Sequence, residues 1–176
     1  MSTPKEPDKA KLIISLFMND KDLFSEVLLS LEDLFGPVDC ISPWLDFNYT
    51  SYYHGEMGQP LFRRVVVFKK LIQQNRLAEI KEKTNRLEAQ WQQDGNRVIN
   101  IDPGYLLLSR FILATGKDFS HRVYLDRGIY ADLTLVYKKG RYHPLEWTYP
   151  DYAASEMTQF LGKIREKYSL DLKKQT

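Results

Sequence analysis

The run Leu-Ile-Ile-Ser-Leu-Phe-Met at 12–18 constrains the fold of this chain more than any other segment. It is short and nearly continuous in its apolar character, which suits a central strand covered on both faces. Asn19 or Asp20 can cap a helix after it, and Leu23, Phe24, Val27, Leu28, Leu31, Leu34 and Phe35 then recur at helical spacing as one apolar stripe. Gly36-Pro37 ends that helix, because Gly accepts the left-handed geometry past a helix end and Pro cannot continue one. A strand is expected over 38–47, with Pro43 marking an edge or a bulge, then a polar and aromatic loop over 48–60. A second apolar strand follows over 61–70, dominated by Val65, Val66, Val67 and Phe68. A second helix is expected over about 75–93, buried through Leu77, Ile80, Leu87 and Trp91 and ended by Asp94-Gly95, with a fourth strand over 97–102.

The order strand–helix–strand–strand–helix–strand is the split βαβ plan of ferredoxin-like domains, so the expected class is α+β with a ferredoxin-like βαββαβ core. Further strands are expected at 110–115, about 121–126, 129–138 and 141–146, with a turn at Lys138-Lys139-Gly140. A closing helix over about 151–168 carries Met157, Phe160, Leu161, Ile164 and Tyr168 on one stripe. Residues 1–10 read as a disordered tail without the apolar core of a signal peptide, 11–170 as one domain, and 171–176 as a frayed end. The net charge of +2, from 25 basic and 23 acidic side chains, supplies no global drive toward nucleic acid or anionic lipid. Cys40 is the only cysteine and reads as buried filler, which excludes an intrachain disulfide and a cysteine-based zinc site. No apolar run reaches the ~18–20 residues of a membrane span. A cytoplasmic location is the expectation.

Between 100 and 152, polar residues that are costly to bury keep interrupting apolar stretches. Asp102 precedes Pro103-Gly104-Tyr105, which reads as a strand running into a turn. Such a carboxylate can accept a ligand hydroxyl, bind a metal, act as a base, or bond its own turn amides. His121 can exchange protons near neutrality, and Lys117 and Arg122 beside it can hold an anion. In a strand His121 and Arg122 would point to opposite faces. Over 129–137 the residues alternate, placing Tyr130, Asp132, Thr134 and Val136 on one face. That face is either solvated or covered, and a covered Asp132 must be paired.

On the second helix Lys81, Asn85 and Glu88 fall on one side, a pattern that ordinarily marks a solvated face with an ion-pair ladder. Tyr52, Tyr53 and Glu56 sit in a Gly-bracketed loop that looks like a binding lip. Trp147, Tyr149 and Tyr152 offer flat surfaces that stack on a base or sugar or plug the sheet end, and Asp151 is placed to cap the last helix. The chain has no P-loop, no Rossmann glycine pattern, no His-Glu-x-x-His and no nucleophile elbow. With three His a histidine-rich metal site is disfavoured, while a carboxylate-bound magnesium ion stays open.

The segments Thr-Ser-Tyr-Tyr-His-Gly-Glu-Met-Gly at 50–58, Lys-Glu-Lys-Thr-Asn-Arg-Leu-Glu at 81–88 and Asn-Ile-Asp-Pro-Gly-Tyr at 100–105 carry a resemblance, as do 117–124, 128–135 and 147–152. In these the chain resembles a prokaryotic family, domain of unknown function 4416, over nearly all of its length. The resemblance carries no established activity. It implies that Glu56, Lys81, Asn85, Glu88, Asp102, His121, Arg122, Asp132 and Asp151 belong together as motif positions.

Three readings follow. In the first the protein binds or acts on a small anionic or nucleotide-like molecule, with Asp102, His121, Asp132 and Glu56 as the chemical groups. Tyr52, Tyr53, Lys81, Asn85, Glu88, Tyr105, Lys117, Arg122, Tyr130, Trp147 and Asp151 would then contact the ligand. In the second, less favoured, an open sheet face flanked by Arg63, Arg64, Lys69 and Lys70 binds RNA. In the third the aromatics form a protein interface. The first reading makes a geometric demand: Glu56, Glu88, Asp102, His121 and Asp132 must converge.

Overall fold

Every residue of the first strand, β1 (Ala10–Met18), is buried in the computed structural model of the protein, which describes residues 2–174. A single 3-10 turn, Lys21–Leu23, leads into α1 (Phe24–Phe35), with Asp20 accepting the amide of Asp22. Then come β2 (Val38–Ile41), β3 (Leu45–Asp46), the short α2 (His54–Met57), β4 (Phe62–Ile72) and α3 (Leu77–Gln90). A small hairpin, β5 (Gln92–Gln93) and β6 (Asn96–Arg97), precedes β7 (Ile99–Leu106) and β8 (Arg110–Thr115). The chain closes with β9 (Arg122–Asp126), β10 (Ile129–Lys138), β11 (Arg141–Pro144), α4 (Pro150–Ala153) and α5 (Ser155–Lys173). The large sheet runs β11-β10-β8-β7-β1-β4-β2, with β3 beside β4 and β9 beside β10, and every pairing is antiparallel. The protein is therefore α+β, with helices on both sides of one antiparallel sheet.

The apolar run that suited a central strand has that place because both of its faces find cover. Leu12, Ile14, Leu16 and Met18 share a core with Phe24, Val27 and Leu31 of α1 and with Ile80 and Leu87 of α3. On the other face Ile13 joins Val65, Val67 and Leu106 in a core with Leu161, Ile164 and Tyr168 of α5. Burying each such Leu, Ile or Val contributes about 1.5–3 kcal/mol, which makes β1 the thermodynamic centre of the fold. Lys11 is also fully buried, and its Nζ lies 2.7 Å from Asp39 Oδ2 and 2.7 Å from Asp171 Oδ2. Lys167 completes this clamp at 3.0 Å from Asp39 Oδ1 and 3.7 Å from Asp171 Oδ1. Burial pushes the Asp39 carboxyl upward, but hydrogen bonds from Lys11 and Lys167 outweigh it and hold the group below its ordinary range.

Several boundaries differ from the sequence reading. The segment expected as one strand over 38–47 breaks at Ser42-Pro43, where Ser42 Oγ accepts the amide of Val65 at 3.0 Å. Cys40 is half-buried in β2, the edge strand, and burial pushes its thiol up. Asp94-Gly95 does not end α3. With φ of 51° and 80° it forms the two left-handed residues of the β5–β6 turn, as Arg127-Gly128 and Lys139-Gly140 do in theirs. The closing helix is split by extended Ala154, and α5 continues past Tyr168 to Lys173. The end expected to fray at 171 is helical through 173 because Asp171 is held by Lys11; residues 175 and 176 lie outside the described residues.

The correction that matters most concerns Asp102-Pro103-Gly104, which is not a turn. β7 runs straight through it, paired with β1 from Ile99 to Leu106. Toward β8 the ladder exists only where Gly104, Tyr105 and Leu106 face Leu113, Ile112 and Phe111. Pro103 has no N–H to extend that ladder. At Gly104 the strands come so close that an added Cβ would lie 2.4 Å from the carbonyl oxygen of Ile112. Beyond this contact β7 keeps only β1 as partner, Ala114 and Thr115 of β8 keep only β10, and the sheet opens.

Candidate functional site

A cleft of about 650 Å³ occupies this opening, within the size range of small-molecule sites. It reaches residues from both sides of the sheet: Lys81, Asn85 and Glu88 from α3, and Arg63, Asp151 and Tyr152 from the opposite side. Around it, charged side chains gather in four groups.

The first group belongs to α3 and β7. Lys81 Nζ donates to the Ile101 carbonyl at 2.9 Å and lies 3.4 Å from Asp102 Oδ1 and 3.9 Å from Glu88 Oε1. Asn100, two residues before Asp102 on the same strand face, donates its amide to Asp102 Oδ2 at 2.7 Å. Glu88 Oε1 accepts the Ile101 amide at 2.6 Å. Burial pushes the Glu88 carboxyl up to about 7, only partly opposed by Lys81, the Ile101 amide and Arg97. The helix side expected to be solvated is thus the floor of the cleft, with Lys81 and Glu88 each 8% exposed, because β7 folds across it.

Arg97, arriving on β6, forms the second group. Its Nε and Nη2 grip Glu56 Oε1 and Oε2 at 2.7 and 2.8 Å, and Nη1 donates to Asn100 Oδ1 at 3.1 Å. The Arg97 hydrogen bonds hold the Glu56 carboxyl below its ordinary range. Glu56 stands behind Arg97, outside the lining.

Arg63 and Asp151 make the third group, at 2.8 Å and with side chains only 4% and 8% exposed. Arg63 Nη1 also donates to Ser15 Oγ at 2.8 Å, and its guanidinium lies against the rings of Phe47 and Tyr152, each 4.7 Å away. Asp151 sits in the first turn of α4, but it serves the buried arginine instead of capping the helix as expected. The Tyr152 hydroxyl lies beside Ser15 and Arg63 without closing a well-formed hydrogen bond.

The fourth group settles the open reading of β10: Asp132 is covered, and it is paired. Its Oδ2 accepts Arg122 Nε at 2.9 Å and faces His121 Nε2 at 3.3 Å. His121 and Arg122 reach the same oxygen, contrary to the alternation expected of a strand, because His121 precedes β9 and lies in a turn. The imidazole stacks on Trp147 at 4.7 Å, and Trp147 Nε1 donates to the Leu133 carbonyl at 2.8 Å. Arg122 Nη1 donates to the Lys117 carbonyl at 3.0 Å, and Nη2 has a 3.5 Å contact with the Tyr149 hydroxyl.

Of the residues expected from sequence, Tyr52, Tyr53, Lys81, Asn85, Glu88, Asp102, Lys117, Arg122, Asp132 and Asp151 line this one cleft. Glu56 and His121 stand directly behind lining residues, and Trp147 one step further back, stacked on His121. Tyr105 lies in the apolar core and Tyr130 packs on Tyr124, so neither reaches it. From sequence alone Arg63 falls to an RNA-binding sheet face and not to this cleft, and Arg97 and Asn100 have no role. The signal for Arg63 was its place in a Val-rich strand buried on both faces, where a cation must be matched. That place also removes it from the sheet-face patch expected for RNA, as do α1, α3 and α5 by covering both faces. Arg64 lies against Phe24 and Trp44 instead of in an open patch. Among the described residues no three His, Cys, Asp or Glu stand together to hold a metal ion, and no helix is long and apolar enough to cross a membrane.

The model of the family Domain of unknown function (DUF4416) matches residues 8–168, and the chain belongs to that family. No curated protein and no solved structure matches it.

Proposed function

We propose that this protein binds a small anionic, nucleotide-like metabolite in the cleft between β7 and β8. The observation that carries the reading is that the sheet opens where charges converge. Where the β7–β8 ladder would have continued, the chain keeps a cavity of about 650 Å³ ringed by Arg63–Asp151, Lys81–Asp102, Arg97–Glu56 and Arg122–Asp132. These ion pairs hold donors and acceptors at the cleft, and Asp102 and Arg97, each 29% exposed at the side chain, stay within reach of a bound molecule. Tyr49, Tyr52, Tyr53 and Tyr149 add flat apolar surface of the kind that packs on rings. Glu88 is poised to exchange a proton with a bound molecule near neutral pH.

Two finer assignments belong to the same proposal. The order β7-β1-β4-β2, with α1 joining β1 to β2 and α3 following β4, supports a ferredoxin-like core to which β8–β11 and the last helices are added. A cytoplasmic location rests on the single unpaired Cys40.

A thermal-shift screen of the full chain against nucleotides, sugar phosphates and small carboxylates tests the binding reading. A ligand at 100 times its Kd stabilises the native state by about 2.7 kcal/mol. The expected result is a rise in Tm with at least one such compound that Asp102→Asn abolishes. A screen with no rise, or a rise of equal size in Asp102→Asn, overturns the proposal.

A further inference from the structure

The cleft has two chemically different ends. Toward its floor each cation is already matched: Arg63 by Asp151 at 2.8 Å, Arg97 by Glu56 at 2.7 Å, and Lys81 by Asp102 at 3.4 Å. An anion arriving there would share each cation with a carboxylate and meet that carboxylate's repulsion at short range. At the β8–β9 end the balance is different. Among the described residues Lys117 has no carboxylate partner, and its ammonium rests over the face of Tyr52, 5.3 Å from the ring centre. Arg122 gives Nε to Asp132 and Nη1 to the Lys117 carbonyl, but Nη2 has only the 3.5 Å contact with the Tyr149 hydroxyl, at the outer limit of a hydrogen bond. Gly116, Lys117, Arg122 and Tyr149 line the same cleft, and no atom would crowd a Cβ placed on Gly116.

We infer that the ligand carries an oxyanion, a phosphate ester or a carboxylate, that seats on Lys117 and Arg122 Nη2, on a body whose hydroxyl or amino groups face Asp102 and Asn85. The inference rests on the binding reading above and adds the orientation and the class of compound. The two ends complement such a molecule. Nη2 and Nζ are donors suited to an oxyanion. Asp102, 29% exposed at its side chain, accepts from donors on the body while Asn100 and Lys81 hold it in place. Tyr52 then covers the oxyanion from solvent on the side where Lys117 already touches it.

The test is calorimetric titration of the full chain with ribose 5-phosphate and with ribose, which share a donor-rich body and differ in the oxyanion. Wild type is expected to bind the phosphate ester at least tenfold more tightly than ribose. Lys117→Ala removes that advantage and leaves ribose binding unchanged, Lys117→Arg retains most of it, and Asp102→Asn weakens both compounds alike. Lys69→Ala, on the far end of β4, changes neither. Equal affinity of wild type and Lys117→Ala for ribose 5-phosphate overturns the inference, and so does failure of ribose 5-phosphate to bind. In either event a thermal shift abolished by Asp102→Asn with another compound keeps the binding reading standing, and the absence of any such shift removes both.

Discussion

Asp39 and Glu88 both have largely covered side chains near lysines, yet their carboxyls are shifted in opposite directions. In the clamp at the start of β1, Asp39 receives direct hydrogen bonds from Lys11 and Lys167, and these outweigh burial. In the cleft, Glu88 has Lys81 and Arg97 each at 3.9 Å and a single amide in contact, so burial wins and the carboxyl rises to about 7. One network is closed, with its charges spent on one another. The other is held around a cavity, with its charges incompletely used. Burial therefore does not by itself mark a functional carboxylate. The direction of the shift follows both from depth, Glu88 being the more deeply buried, and from the distance to the partners, because the Coulomb and hydrogen-bond return falls off steeply while the loss of hydration stays.

The comparison can be broken at either end. Lys11→Met should have the largest effect, since it leaves Asp39 and Asp171 with only the half-exposed Lys167; removing one partner of a buried pair costs about 3–5 kcal/mol. A urea midpoint indistinguishable from wild type would show that the clamp is not structural. Glu88→Gln should act in the opposite sense. In the unfolded chain this carboxyl releases its proton near 4.5, and in the native protein near 7, so the native state holds more protons between those values and stability falls as pH rises through that window. The loss is of the order of 3 kcal/mol above pH 7 and vanishes below 4.5. Glu88→Gln should therefore melt higher than wild type at pH 8 and show a flatter stability profile from pH 4.5 to 7. A parallel profile in the two proteins would place Glu88 with Asp39 after all. Gly104→Ala comes last: the Cβ placed 2.4 Å from Ile112 O forces the strands apart, an overpacking cost of about 1–3 kcal/mol. Its sharper signature is faster amide exchange in 111–113, where the short β7–β8 ladder lies. Unchanged exchange there would deny Gly104 its role at the mouth of the opening.

Much of the architecture was legible because local pattern and tertiary cover agreed. The apolar run of β1, the stripe of α1 apart from the exposed Leu34, and the left-handed turn at Lys139-Gly140 each behave as their residues dictate. The site was legible as residue types but not as geometry. Asp102-Pro103-Gly104 carries every local mark of a turn, and only the strand pairing with β1 overrides it. Lys81 and Glu88 share the spacing of a solvated ladder, and nothing within α3 says that β7 will cross it. From sequence Arg63 falls on an open sheet face and Arg97 has no role, because their partners, Asp151 and Glu56, lie 88 and 41 positions away in sequence. Such pairings have no local signature.

β1 also has a history that the finished molecule hides. Its partners are β4, over Phe62–Ile72, and β7, over Ile99–Leu106. A ribosome adding roughly 5–20 residues per second leaves this strand without a mate for several seconds. During that interval an almost wholly apolar strand is without the partners that bury it. A chain in which β4 has not yet been made therefore exposes an unpaired apolar strand, the kind of surface that promotes aggregation.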